Sequence, residues 1–290
     1  VTTTLLSRLS GKRFGVVLSA GYFGFYAHTG FVEALLDTGL IPSAWAGSSA
    51  GGMVAALSAA GMPIAELKAL ILSQRREHFW DPDWLGIAVD SVRRGHRPSG
   101  LLKGARFRAL LEKHLPVKDF EATRWPLVLV ATSLSGQRAM TLTTGDLASA
   151  VHATCAYPGL FQTVRRNGVV LWDGGIVDKA PALALVDAKV APIEALLIHY
   201  LPSASASRPP KGPLAFAQGM SQGLAAVRRE HFRLQLELLA ARGIPTYTVT
   251  SRVPQVSPRL MHTGSIAMEA GAQSLRHALS QGPLPWTGED

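Results

Sequence analysis

Residues Trp45-Ala46-Gly47-Ser48-Ser49-Ala50-Gly51-Gly52 constrain this chain more tightly than any other stretch. They fit a Gly-x-Ser-x-Gly pattern, in which a strand turns sharply into a helix and leaves one hydroxyl exposed at the bend. Gly47 and Gly51 hold the two positions where a Cβ would crowd backbone against backbone, and Ser49 is the exposed serine. The flanks suit that geometry: Ile41 to Ala46 supplies a short strand and Met53 to Ala60 reads as a helix. In a chain with 28 glycines the match alone leaves a plain strand-to-helix turn as an equal alternative.

Two further segments change that balance. Gly168-Val169-Val170-Leu171-Trp172-Asp173-Gly174-Gly175 ends an apolar strand in an acid on a glycine turn. An Asp-Gly hairpin turn accounts for the spacing. It does not account for a carboxylate at the end of an apolar strand, which is costly unless something compensates its charge. A serine nucleophile needs such a base within hydrogen-bond reach. Near the N-terminus, Phe14 to Ser19 reads as a first strand, followed by the small turn Ala20-Gly21 and a helical pattern from Tyr26 to Leu36. Backbone N–H groups at such a turn can face a developing oxyanion.

Taken together, the chain resembles the patatin-like phospholipases over nearly its whole length. That family carries, in this order, a glycine-rich oxyanion turn after strand one, a Gly-x-Ser-x-Gly elbow and an Asp-Gly-Gly or Asp-Gly-Ala turn. The connecting text matches too: Ala27-His28-Thr29-Gly30 with Val32-Glu33-Ala34-Leu35, the segment Ala153 to Phe161, and Gly175 to Pro181. The resemblance implies a three-layer α/β/α fold with a central, largely parallel sheet. It implies Ser49 as nucleophile and Asp173 as base, a dyad without histidine, with an acyl-enzyme on Ser49 and hydrolysis by water. It places the oxyanion donors on the backbone of Ala20, Gly21 and Tyr22, and calls for no cofactor.

One departure stands out. The family's oxyanion turn reads Gly-Gly-Gly-x-Arg-Gly, whereas Ala20-Gly21-Tyr22-Phe23-Gly24-Phe25 keeps only Gly21 in register and puts Gly24 at the arginine position. A non-glycine residue held at positive φ there would be strained. Tyr22, Phe23, Phe25 and Tyr26 also place four aromatic rings beside the site, where they either shape an acyl pocket or pack the start of the helix.

The rest of the sequence narrows the class. With 47% apolar and 17% charged residues among 290, the chain suits a globular domain with a sizeable core. We expect a single domain over 1–290, with an irregular insertion near 74–102 and an exposed loop near 203–213. No apolar run reaches the roughly 20 residues of a membrane span. The opening residues Val1 to Leu5 lack the features of a secretory signal, and the absence of an initial Met leaves the true N-terminus open. The lone Cys155 excludes an internal disulfide and fits a reducing compartment, so a cytoplasmic location is expected.

Net charge is +9, with Arg93, Arg94, His96, Arg97, Lys103, Arg106 and Arg108 clustered and arginine pairs at 75–76, 165–166 and 228–229. These groups have two readings, a solvated surface or peripheral contact with anionic membrane. No recognised motif points to nucleic acid. The stretch Glu77 to Leu85, with Trp80 and Trp84, reads either as part of a lipid-facing entrance or as an excursion packed on the body.

Strand and helix patterns alternate, as in an α/β fold. Strands are expected near 14–19, 43–47, 126–132, 138–143, 168–172, 195–200 and 245–250. Helices are expected near 25–39, 50–60, 63–74, 104–114, 145–155, 214–242 and 262–279. An ordinary α/β-hydrolase needs a histidine after the acid. His199 lies in an apolar strand and reads as a core residue, which leaves His262 as the better-placed alternative; His28 packs in the first helix. No His/Cys/Asp cluster has metal-ligand spacing. Three readings of function remain: a lipid acyl hydrolase of phospholipase A or lysophospholipase type, an acyltransferase using the same dyad, and a non-catalytic lipid-binding protein with an altered oxyanion turn.

Overall fold

The computed structural model describes residues 4–86, 99–203, 212, 215–254, 256–257, 260–281 and 286. The chain opens with α1 (Leu5–Leu9), β1 (Phe14–Leu18), α2 (Phe25–Leu36), β2 (Ala44–Ser48), α3 (Ser49–Ala59) and α4 (Ile64–Leu72). It continues through β3 (Gly100–Leu102), α5 (Ala105–His114), β4 (Leu127–Ser133), β5 (Arg138–Leu142), α6 (Leu147–Thr154), β6 (Gly159–Phe161), β7 (Val164–Arg166) and β8 (Val169–Asp173). It closes with α7 (Ala182–Asp187), β9 (Ala195–Tyr200), α8 (Ala215–Ala241), β10 (Thr246–Thr250) and α9 (Gly264–Gln281).

Eight strands form one sheet in the order β10-β9-β1-β2-β4-β8-β7, with β5 also paired to β4. The run β10-β9-β1-β2-β4 is parallel, whereas β5, β7 and β8 join it antiparallel. Every residue of β1, β2 and β9 is buried, as befits parallel strands covered on both faces. Strand β5 shows a largely exposed edge carrying Arg138 and Thr141.

Period-two alternation divides the core between the faces. Val16, Leu18, Trp45, Leu127, Leu129 and Leu197 point to the layer holding α2, α3 and α9. Val17, Ala44, Ala46, Val128, Leu196 and Ile198 point to α7 and α8, where Leu185, Phe232 and Leu239 meet them. The expected three-layer architecture is therefore present. Strands β3 and β6 pair in a small separate sheet beside it.

Most of the Gln74 to Leu102 insertion that is described packs onto the body. Phe79 and Trp80 lie against the core, and the Arg76 guanidinium stacks 3.7 Å from the centre of the Trp80 ring. Asp81 accepts hydrogen bonds from the Gly104 and Arg106 amides, and Asp83 accepts one from Gln162. Trp84 and Leu85 remain exposed. Residues 87–98, and with them Arg93, Arg94, His96 and Arg97, lie outside the described residues, as do 204–211 and 213 of the 203–213 loop.

Candidate functional site

The site forms where the parallel strands end. Strand β2 runs into α3 with no intervening residue, so Ser49 is the first helical residue and sits at φ +55°. Both glycines of the elbow are required by space. A Cβ on Gly47 would stand 2.6 Å from the Gly51 carbonyl, and one on Gly51 would stand 2.3 Å from the Leu18 oxygen. The bend thus presses β2, α3 and the end of β1 together and lifts the Ser49 side chain clear.

Strand β8 delivers the acid to the same point. The Ser49 hydroxyl donates to Asp173 Oδ2 at 2.6 Å, and the Gly175 amide donates to Asp173 Oδ1 at 2.7 Å. The Asp173 backbone is held by the Thr132 hydroxyl, which donates to its carbonyl at 2.7 Å, and by its own amide, which donates to Ala156. Asp173 is buried, and burial pushes its carboxyl up to about 6 against the pull of Ser49, Gly175 and the Arg228 cation. A carboxyl tuned there is ionised and basic near neutral pH.

Thr154 was not singled out by the sequence as a site residue. Its hydroxyl donates to the Val130 carbonyl at 2.5 Å and accepts from the Ser49 amide at 2.9 Å, which fixes the elbow to β4. Its neighbour Cys155 donates its thiol to the Ser49 carbonyl at 3.2 Å, and burial with the nearby Asp173 charge raises the thiol well above its ordinary value. Cys155 is therefore held as an unreactive thiol.

The oxyanion turn needs one correction. The Ala20 amide donates to the Lys179 carbonyl at 2.6 Å, so it is already committed and does not face an oxyanion. The Gly21 and Tyr22 amides have no acceptor among the described residues, and neither does the Ala50 amide at the start of α3. The strain sits at Phe23, at φ +53°, not at Tyr22. Of the four aromatic rings, Tyr22, Phe23 and Phe25 line the cavity while Tyr26 is buried in the core.

No histidine reaches Asp173 among the described residues. His262 is exposed in the turn before α9, so the alternative third residue is not brought to the site. His28 and His199 form a buried pair elsewhere, with Nδ1 to Nδ1 at 2.8 Å. The Ser19 carbonyl can only accept, so His28 carries its proton on Nε2 and accepts on Nδ1. His199 then donates from Nδ1 and accepts at Nε2 from the Ser251 hydroxyl at 2.8 Å. Burial lowers both, His28 to about 3, so both are neutral.

Ser49 and Asp173 open on a cavity of about 1250 Å³, above the roughly 300–1,000 Å³ of common small-molecule sites. Met53, Leu57, Leu70, Ile71, Phe107, Leu110, Leu111 and Phe161 give it a deep apolar lining. Among the described residues no group of three or more His, Cys, Asp or Glu side chains is arranged to hold a metal, and no helix is long and apolar enough to cross a membrane. The described members of the basic cluster have partners: Lys103 pairs with Asp83, Arg106 caps the Glu77 and Trp80 carbonyls, and Arg108 meets Glu112 and Asp146.

Residues 16–186 match the patatin-like phospholipase family. An uncharacterized NTE family protein of Mycobacterium tuberculosis is 28% identical over 181 residues, covering 61% of this chain and 29% of its own length. A second uncharacterized NTE family protein of that organism is 28% identical over 174 residues, covering 59% of this chain and 45% of its own. The chain thus spans under half the length of these curated relatives. Among solved structures, VipD from Legionella pneumophila superposes with a TM-score of 0.50 at 16% identity, over 93% of this chain and 67% of that one, a likeness of fold.

Proposed function

The chain belongs to the patatin-like phospholipase family, and on that footing we propose that it is a serine lipid acyl hydrolase, of phospholipase A or lysophospholipase type, working through a Ser49–Asp173 dyad. The observation that carries the proposal is the 2.6 Å hydrogen bond from the Ser49 hydroxyl to Asp173 at the floor of an apolar cavity.

In this reading Ser49 Oγ attacks the ester carbonyl as Asp173 Oδ2 takes its proton. The tetrahedral oxyanion is met by the uncommitted amides of Gly21 and Tyr22, fixed donors that need no reorganisation. Collapse breaks the bond to the alcohol, which leaves with the proton from Asp173 and the acyl group on Ser49. Water then attacks the acyl-enzyme, its proton passing to Asp173, and the free acid departs as Ser49 recovers its hydrogen. The apolar lining holds the acyl chain, and Cys155 stays protonated and outside the chemistry. Peripheral contact with an anionic membrane remains part of the proposal, since the ester must be drawn from a lipid surface.

A fluorophosphonate probe tests the dyad directly. Wild-type protein should gain one adduct by intact mass, and Ser49→Ala and Asp173→Asn should gain none. Unlabelled, folded wild-type protein would remove the hydrolase reading and leave lipid binding. An acyl-enzyme that passes its acyl group to added alcohols faster than to water would make it a transferase.

A further inference from the structure

The cavity has two chemically distinct linings, and they come from opposite layers of the fold. The apolar side chains Met53, Leu57 and Leu111 belong to the core on the α3 face of the sheet. Helix α8, on the other face, contributes Gln218, Ser221, Gln222 and Arg228 to the same cavity. Arg228 is the anomaly among them. Its Nε is buried without a hydrogen-bond partner, and among the described residues its guanidinium makes no ion pair or hydrogen bond. Its neighbour on the sequence, Arg229, does not line the cavity, because the two side chains leave the helix about 100° apart.

Arg228 is half-buried, and a guanidinium partly withdrawn from water with its Nε unpartnered is favourably completed by an anion. The nearby carboxylate is not that anion. Asp173 feels the Arg228 charge, but its oxygens accept from Ser49 and Gly175 instead. A guanidinium presents a planar fork of donors that fits two oxygens of one phosphate.

We propose that Arg228 is the counter-ion for the phosphate of a lipid headgroup, so that the cavity selects phosphate-bearing lipids over uncharged ones, with the acyl chain in the apolar lining. The selectivity concerns the substrate of the hydrolase proposed above and rests on that reading for catalysis, though binding of the lipid phosphate does not require turnover. Lys179 lines the same cavity and reinforces the positive field there, its ammonium donating to the Ser203 hydroxyl at 2.9 Å and lying 4.5 Å from the Tyr200 ring centre.

Calorimetric binding of octyl phosphate, octyl glucoside and inorganic phosphate, each below any micelle concentration, tests the assignment on wild type, Arg228→Gln and Arg228→Lys. Wild type should bind octyl phosphate at least tenfold more tightly than octyl glucoside. Arg228→Gln should erase that preference while melting at the wild-type temperature, and Arg228→Lys should keep part of it. Equal preference in wild type and Arg228→Gln would overturn the proposal. So would inorganic phosphate binding as tightly as octyl phosphate, which would mark a free-anion site and not a lipid one. Turnover of a monoacylglycerol phosphate and the matching monoacylglycerol separates the two levels of inference. If neither is cleaved yet octyl phosphate binding depends on Arg228, the hydrolase reading fails and the headgroup site stands. If both are cleaved alike and binding ignores Arg228, the reverse holds.

Discussion

Leu201 occupies the space that a side chain on Gly24 would need: its Cδ1 lies 2.6 Å from where a Cβ on Gly24 would stand. Leu201 is itself buried, just past the end of β9, and the same methyl lies 2.9 Å from a Cβ position on Gly21. The turn in which this chain departs from its family is thus closed by packing from a neighbouring strand. Putting back the arginine would push against that leucine. Gly24→Arg should cost about 1–2 kcal/mol by overpacking and should not raise activity. In a Leu201→Ala background the cost of the same change should largely vanish, a coupling that urea unfolding of the four proteins would read. Additive costs would show that Leu201 is not what fills the position.

Thr154 links two elements that must not drift apart. Thr154→Val keeps the shape but removes the hydroxyl, so the Val130 carbonyl and the Ser49 amide each lose a partner. The expected loss is about 1–3 kcal/mol of stability. As a positioning residue it should lower kcat more than it changes KM, with Thr154→Ser restoring most of the rate. Unchanged kcat in a destabilised Thr154→Val protein would confine the hydroxyl to holding the fold.

The sequence made most of the frame legible because its signals are local. Continuous apolar runs such as Val16-Val17-Leu18 and Ala195 to Tyr200 mark buried parallel strands, and the structure has them at 14–18 and 195–200. Gly47 declares itself because the clash it avoids is with Gly51, four residues on, whereas the clash avoided at Gly51 is with Leu18 on a neighbouring strand and is visible only in the fold. Short elements without a period escaped: β3, β6 and β7 are three residues each, and α7 is six. The commitment of the Ala20 amide escaped for another reason, since its acceptor, Lys179, lies far along the chain. Thr154 and Arg228 were equally hidden. A threonine beside a small-residue run and one arginine of a pair on a long helix become distinctive only once the strands that face them are placed.

Ser49 sits in the left-handed region at the bend of the elbow. At φ +55° a residue with a Cβ costs about 1–2 kcal/mol over a glycine. Ser49→Gly should therefore unfold at higher urea than Ser49→Ala, by about 0.5–1 kcal/mol once the glycine's greater freedom in the unfolded chain is deducted. Both variants should be inactive, so the difference isolates the backbone term. Equal midpoints would mean that the elbow holds Ser49 without strain.

The buried Asp173 carboxylate opposes stability once it ionises, and pH exposes the sign. Its carboxyl rises from an ordinary 3.8 to about 6 in the folded protein, chiefly through burial. Between those values the folded state keeps a proton that the unfolded state releases. Stability therefore falls as pH rises through that window and stays lower above it, by about 3 kcal/mol. The activity profile should run the other way, with kcat/KM climbing to a plateau above an apparent pKa of about 6 as the base ionises. In Asp173→Asn the amide can accept from Gly175 through its oxygen and donate to Ser49 Oγ, so both native contacts survive without the buried charge. At pH 8 this inactive variant should be more stable than wild type by up to about 3 kcal/mol, an advantage that closes as pH falls towards 4. The neutral His28–His199 pair acts with the opposite sign, losing stability as pH drops below 6.5. It does so in both proteins and cancels from the comparison. Urea midpoints at the two ends of that range decide the matter: an Asp173→Asn protein no more stable than wild type at pH 8 would mean that the carboxylate is compensated where it lies and is not a poised base.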